Sequence, residues 1–101
     1  MASTKEFKDY IIDQLRNLNN ISVRAMMGEF VFYYKGVVFG GIYDDRFLVK
    51  ETKTNTKYNL EKVLPYKGGR LMLMVENIDD ADYLEALVKD TYNGLTTKQK
   101  P

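Results

Sequence analysis

The sequence predicts an α+β domain in which an antiparallel sheet of about five strands carries N- and C-terminal helices and a short middle helix. Two observations predict it. Apolar residues recur at helical spacing near both ends of the chain, at Phe7–Leu18 and Tyr83–Tyr92. Between them lie short β-branched and aromatic runs broken by glycine or aspartate, the texture of hairpins.

The first helix carries its own start signal. Ser3-Thr4-Lys5-Glu6 fits a capping box, in which a hydroxyl and a carboxylate satisfy orphan amides reciprocally. Phe7, Tyr10, Ile11, Leu15 and Leu18 follow on one face, and Asn19-Asn20 suits the left-handed turn that ends a helix. Ile21–Met27, Phe30–Tyr34, Val37–Tyr43 and Phe47–Lys50 read as strands of a meander. Lys35-Gly36 and Asp44-Asp45-Arg46 make the turns between the later strands. The Gly40-Gly41 doublet inside a strand marks a bulge or a close approach of backbones.

Glu51–Lys62 is polar and reads as the short middle helix. Pro65 implies an edge or a strand start, Tyr66–Arg70 a turn, and Leu71–Val75 a further strand. The last helix starts at Asp79 as N-cap, with Ile78 and Tyr83 at staple positions, and stops at Gly94. The domain is expected over residues 1–95, with 96–101 as a flexible tail.

Two strands depart from the apolar–polar alternation of a sheet with one wet face. Phe30, Phe32 and Tyr34 point one way while Val31 and Tyr33 point the other. Leu71, Leu73 and Val75 alternate with Met72 and Met74. Either the helices divide over both faces, or a second apolar face made of Val31, Tyr33, Met72 and Met74 awaits a protein partner or a second copy of the chain.

Composition removes whole classes of chemistry. The 101 residues include no Cys and no His. That excludes disulfides, thiolate nucleophiles, zinc ribbons, iron–sulfur ligation, an imidazole base and His-ligated metals. Carboxylates remain, but Asp44-Asp45 reads as a turn, and Asp79, Asp80 and Asp82 suit the positive end of a helix dipole. Neither glycine doublet forms a nucleotide fingerprint. No catalytic residue, metal ligand or cofactor is expected. No apolar run reaches membrane-spanning length and the N-terminus is no signal peptide, so the expected location is cytoplasmic, without a membrane partner.

The net charge of +1 conceals a division. From Arg46 to Arg70 the cations are Arg46, Lys50, Lys53, Lys57, Lys62, Lys67 and Arg70. Glu51 and Glu61 oppose them, leaving +5. From Glu76 to Asp90, six carboxylates face Lys89 alone, leaving −5. The segments either pair across the fold or form a basic patch able to touch phosphates.

The block Val23–Phe30 (VRAMMGEF) and the block Tyr34–Lys50 (YKGVVFGGIYDDRFLVK) resemble the TfoX N-terminal-domain family. So do Leu64-Pro65-Tyr66, Gly69, Leu71–Val75 and the acidic final helix. Arg24, Gly28, Gly36, Lys50, Pro65 and Tyr66 are the positions that match the family pattern. The resemblance implies an α-β-β-β-α-β-β-α domain and a non-enzymatic regulatory role. Longer members, which carry a further C-terminal domain, regulate competence genes in bacteria; this chain reads as a single-domain version.

The leading expectation is therefore an interaction module working through protein contacts, with a homodimer as one form. Direct nucleic-acid contact through residues 46–70 is the alternative. A third reading is a small-ligand pocket using Arg24, Glu29, Tyr43 or Arg46.

Overall fold

The structure is a computed structural model describing residues 3–97. Helix α1 (Lys5–Gln14) leads into strands β1 (Ile21–Met26), β2 (Glu29–Tyr34), β3 (Val37–Tyr43) and β4 (Arg46–Val49). A single 3₁₀ turn, Thr56–Tyr58, precedes β5 (Glu61–Val63) and β6 (Met72–Met74), and α2 (Ala81–Thr96) follows. All strand pairs are antiparallel, and the six-stranded sheet has the order β1-β2-β3-β4-β6-β5. The α+β class is as expected, with one strand more. The added strand, β5, lies at the end of the polar stretch read as a middle helix, and the four strands before the 3₁₀ turn are those read from the residues, one more than the family resemblance implies.

Three tight turns set the meander. Met27-Gly28, Lys35-Gly36 and Asp44-Asp45 each place two successive residues at positive φ, between 52° and 84°. That geometry matches the right-handed twist of the strands it joins. Gly28 and Gly36 are thus family-pattern positions explained by their turns. A bulge at Phe39 shifts the register, so that Phe32 faces Gly40 while Tyr33 faces Val38. Gly40 and Gly41 are the expected close approach. A Cβ on Gly40 would stand 2.2 Å from the Leu48 carbonyl oxygen, and one on Gly41 would stand 2.4 Å from that of Phe30.

Both helices pack on one face. Ile11, Leu15 and Leu18 from the first helical segment and Leu84, Leu87 and Val88 from α2 share a buried core with Phe32, Phe39, Phe47, Val49 and Leu73. The Phe32, Phe39 and Phe47 rings meet at centroid distances of 5.7–6.4 Å.

The helix starts differ from expectation by one residue, and α1 ends at Gln14, short of the expected stop at Asn19-Asn20. Thr4, not Ser3, caps α1, its Oγ1 accepting from the Phe7 amide at 3.2 Å. Ser3 instead donates to Glu29 and accepts from the Asp45 amide, tying the start of the chain to the β3–β4 turn. Asp80, not Asp79, caps α2. Asp79 accepts from the Tyr10 hydroxyl and Asp82 from Asn17, so neighbouring elements use the acidic residues that flank the cap.

Gly94 does not stop α2, which continues to Thr96. A Cβ at Gly94 would meet Thr54 Oγ1 at 2.4 Å and Thr52 Cβ at 2.6 Å, so the glycine is a notch for the 51–55 loop. Of the expected tail, Thr96 belongs to α2, and 98–101 lie outside the described residues.

Candidate functional site: a cationic groove under the β5–β6 loop

The second sheet face carries no helix from the core cluster, and the chain covers part of it with its own loop. Cross-strand register places Arg24, Val31, Gly41, Leu48, Met74 and Glu61 in one row on that face. Leu48 is fully buried, and Val31 and Met72 are only 8% and 9% exposed. They support the surface from beneath and offer little of themselves to a partner. Tyr33 and Met74 remain half-buried.

Arg46 explains how the loop is held. It shares the outer face with Tyr43, since Ile42 and Phe47 beside them enter the core. Its guanidinium donates to the carbonyls of Tyr43 (3.1 Å), Leu64 (3.0 Å) and Pro65 (3.2 Å). A planar fork of donors can serve several carbonyls at once, which an ammonium cannot do in the same geometry. Pro65 is buried in the loop just beyond β5, rather than opening a strand. The Tyr43 and Tyr66 rings pack at 5.9 Å, and Gly69 leaves room for both Pro65 and Tyr66. Burial pushes the Tyr43 hydroxyl above its ordinary pKa.

Between this loop, β3 and the residues after β4 lies an open groove of about 890 Å³, lined by Tyr43, Lys50, Pro65, Tyr66, Arg70 and Met72 among others. It gathers Lys50, Pro65 and Tyr66 of the family-pattern positions. Arg24 stands apart on β1, exposed. The loop presents Leu64 (48% exposed), Tyr66 (60%) and Leu71 (52%) to solvent. The reading of strand alternation missed these residues, because exposure here depends on how a loop crosses a sheet and not on strand period.

The electrostatics sort the seven cations of the basic segment. Lys57 pairs with Asp90 at 3.2 Å, joining the basic segment to the acidic one across the fold. Lys62 pairs with Glu51 at 3.0 Å, neutralising the carboxylate that lines the groove. Arg46 is engaged with carbonyls. Lys50, Lys53, Lys67 and Arg70 are exposed and make no ion pair among the described residues. Lys50 and Arg70 line the groove itself, and Lys67 sits on the same loop. The charges at the groove that lack an ion partner among the described residues are thus all positive, although the chain is nearly neutral.

A buried polar knot positions Lys50. Asn55, fully buried, donates to the Lys50 carbonyl and to Thr91 Oγ1, both at 2.9 Å. Its own Oδ1 accepts from the Thr52 amide at 2.9 Å. Thr91, also fully buried, donates to the Leu87 carbonyl. The Tyr58 hydroxyl donates to Asp90 at 2.6 Å, and burial together with that carboxylate pushes it up to about 12. The loop after β4 is thereby fastened to α2.

The four residues of the small-ligand reading do not converge. Only Tyr43 lines the groove; Arg46 is spent on carbonyls, Glu29 accepts from Ser3 and the Asp44 amide, and Arg24 points to the exposed side of β1. What the groove can do is hold a chain segment. It offers exposed apolar surface with a cationic rim.

A comparison with curated proteins finds no match. The family model described as the TfoX N-terminal domain matches residues 13–95, the span running from the end of α1 to the last turn of α2 and including every residue named in the groove. The chain belongs to the TfoX N-terminal domain family.

Proposed function

We propose that this domain is a non-enzymatic regulatory module that works through protein contacts at the groove under the β5–β6 loop. The occupant is a partner segment carrying apolar and acidic side chains. One observation carries the reading: Leu64, Tyr66 and Leu71 are exposed together beside Lys50, Lys67 and Arg70, which lack ion partners among the described residues. Aromatic and arginine side chains beside a shallow apolar surface are the usual anchors of a protein interface. Family membership supports a regulatory role; the setting proposed with it is the cytoplasm of a bacterial cell.

The test is affinity capture from source-cell lysate with and without nuclease. Partners retained after nuclease treatment support the proposal; partners lost with nucleic acid contradict it.

A second reading is nucleic-acid contact through Lys50, Lys53, Lys67 and Arg70. Exposed Tyr66 beside them favours it, because a ring can stack on a base. The engagement of Arg46, Lys57 and Lys62 elsewhere leaves it fewer charges than the sequence offers. It requires binding that weakens steeply with added salt.

A further inference from the structure

The sheet ends in two unlike edges. At one, β5 is only Glu61–Val63, with charges at Glu61 and Lys62 and Pro65 just beyond. Short length, charge and nearby proline are the devices that keep an edge from pairing. At the other, β1 runs six residues, Ile21–Met26, with Arg24 as its one charge and no proline. It pairs with β2 alone.

The hydrogen-bond phase of that edge is fixed. Asn20 faces Lys35 in the extended register, and the Lys35 amide donates to the Asn20 carbonyl at 3.0 Å. Antiparallel pairs alternate between bonded and non-bonded. Ser22, Arg24 and Met26 therefore turn their backbone groups toward β2. Ile21, Val23 and Ala25 turn theirs outward. Beside this row lies a groove of about 750 Å³ between α1 and β1, lined by Ile12, Ile21 and Val23. Its cations already have local acidic partners, Lys8 in Asp9 at 3.1 Å, which Lys5 shares, and Arg16 just past α1 in Asp13 at 3.6 Å.

We propose that β1 pairs antiparallel with β1 of a second copy of this chain, about a two-fold axis at Val23. In that register Val23 faces its own counterpart, Ile21 faces Ala25, and Arg24 faces Ser22. The β-branched pair lies at the centre, and no like charges meet. The outward groups of Ile21, Val23 and Ala25 form about six cross-strand hydrogen bonds and join the two sheets into one. Local charge balance suits a second copy better than a strongly charged partner, in contrast to the cationic groove on the sheet face. An isologous contact of this kind closes after two copies.

The test combines sedimentation equilibrium of the full chain, from micromolar to millimolar concentration, with hydrogen exchange read residue by residue. The expected result is a dimer at high concentration, with amides of Ile21, Val23 and Ala25 gaining protection as concentration rises. Amides of Ser22 and Arg24 stay protected throughout. Val23→Pro removes an outward donor while sparing the β1–β2 ladder, and it raises the dimer dissociation constant by about tenfold or more. The exchange pattern of the unmodified chain decides the matter should that variant fold poorly. A monomer at every concentration overturns the proposal. So does a dimer whose Ile21, Val23 and Ala25 amides exchange freely, or a monomer whose edge is protected only by an added extended peptide.

Discussion

The Arg46 guanidinium donates to the Pro65 carbonyl at 3.2 Å and, through the same nitrogen, to the Leu64 carbonyl at 3.0 Å. A cation that belongs to a basic patch by sequence is, in the fold, the clamp that lays the β5–β6 loop against the sheet. Arg46→Lys keeps the charge and loses the fork. It is expected to lower stability by about 1–2 kcal/mol, and denaturant unfolding measures this. A patch residue acting only through charge would tolerate the change.

Asn55 and Thr91 form a second anchor. Asn55→Ala leaves the Lys50 carbonyl, the Thr52 amide and Thr91 Oγ1 without their buried partner. The expected loss is about 2–4 kcal/mol, with a matching fall in Tm. Amide exchange in residues 50–55 should rise with it, since the knot fastens that loop to α2.

Gly94 and Gly36 separate two uses of glycine. Helix propensity alone says that Gly94→Ala stabilises α2 by about 1 kcal/mol. The Thr52 and Thr54 contacts at 2.6 and 2.4 Å reverse that sign, and the expected change is a loss of about 1–3 kcal/mol. Gly36→Ala meets no atom within 4 Å but keeps a φ of +80°, so its cost is backbone strain of about 1 kcal/mol. Thermal unfolding of the two variants distinguishes these causes, because trimming both Thr52 and Thr54 to Ala eases the first and leaves the second unchanged.

Much of the fold was legible because turns announce themselves. Lys35-Gly36 and Asp44-Asp45 have the chemistry for paired positive φ, and the meander follows from them. β5 was hidden because three residues at a polar edge carry no periodicity. The caps slipped by one residue because Ser3-Thr4 and Asp79-Asp80 each offer two competent side chains, and only tertiary partners select between them. Gly94 reads equally well as a helix stop or a packing notch until Thr52 and Thr54 are placed beside it. The groove was half visible. Its cations and Tyr66 could be named from sequence, but which cations stay free depends on Asp90 and Glu51, which the fold brings to Lys57 and Lys62.

Tyr58 gives a pH signature. Its hydroxyl, held at about 12 by burial and then by Asp90, ionises in the unfolded chain near the ordinary value of 10.0. A raised folded pKa means that its contribution is complete below about pH 10 and is lost between pH 10 and 12. Stability should fall across that window. Ultraviolet titration of Asp90→Asn should show the Tyr58 transition moving down while staying above 10, because burial is the larger cause.

The groove under the β5–β6 loop is proposed to receive a protein. The most direct measurement is the affinity of a nuclease-resistant captured partner for the unmodified chain and for a Tyr66→Ala, Arg70→Glu double variant. Both residues are exposed, and thermal unfolding of the variant checks that the loss of the Tyr43–Tyr66 contact leaves the fold in place. The expected loss is at least about a hundredfold, as two interface anchors disappear together. Unchanged affinity in a folded double variant would contradict it.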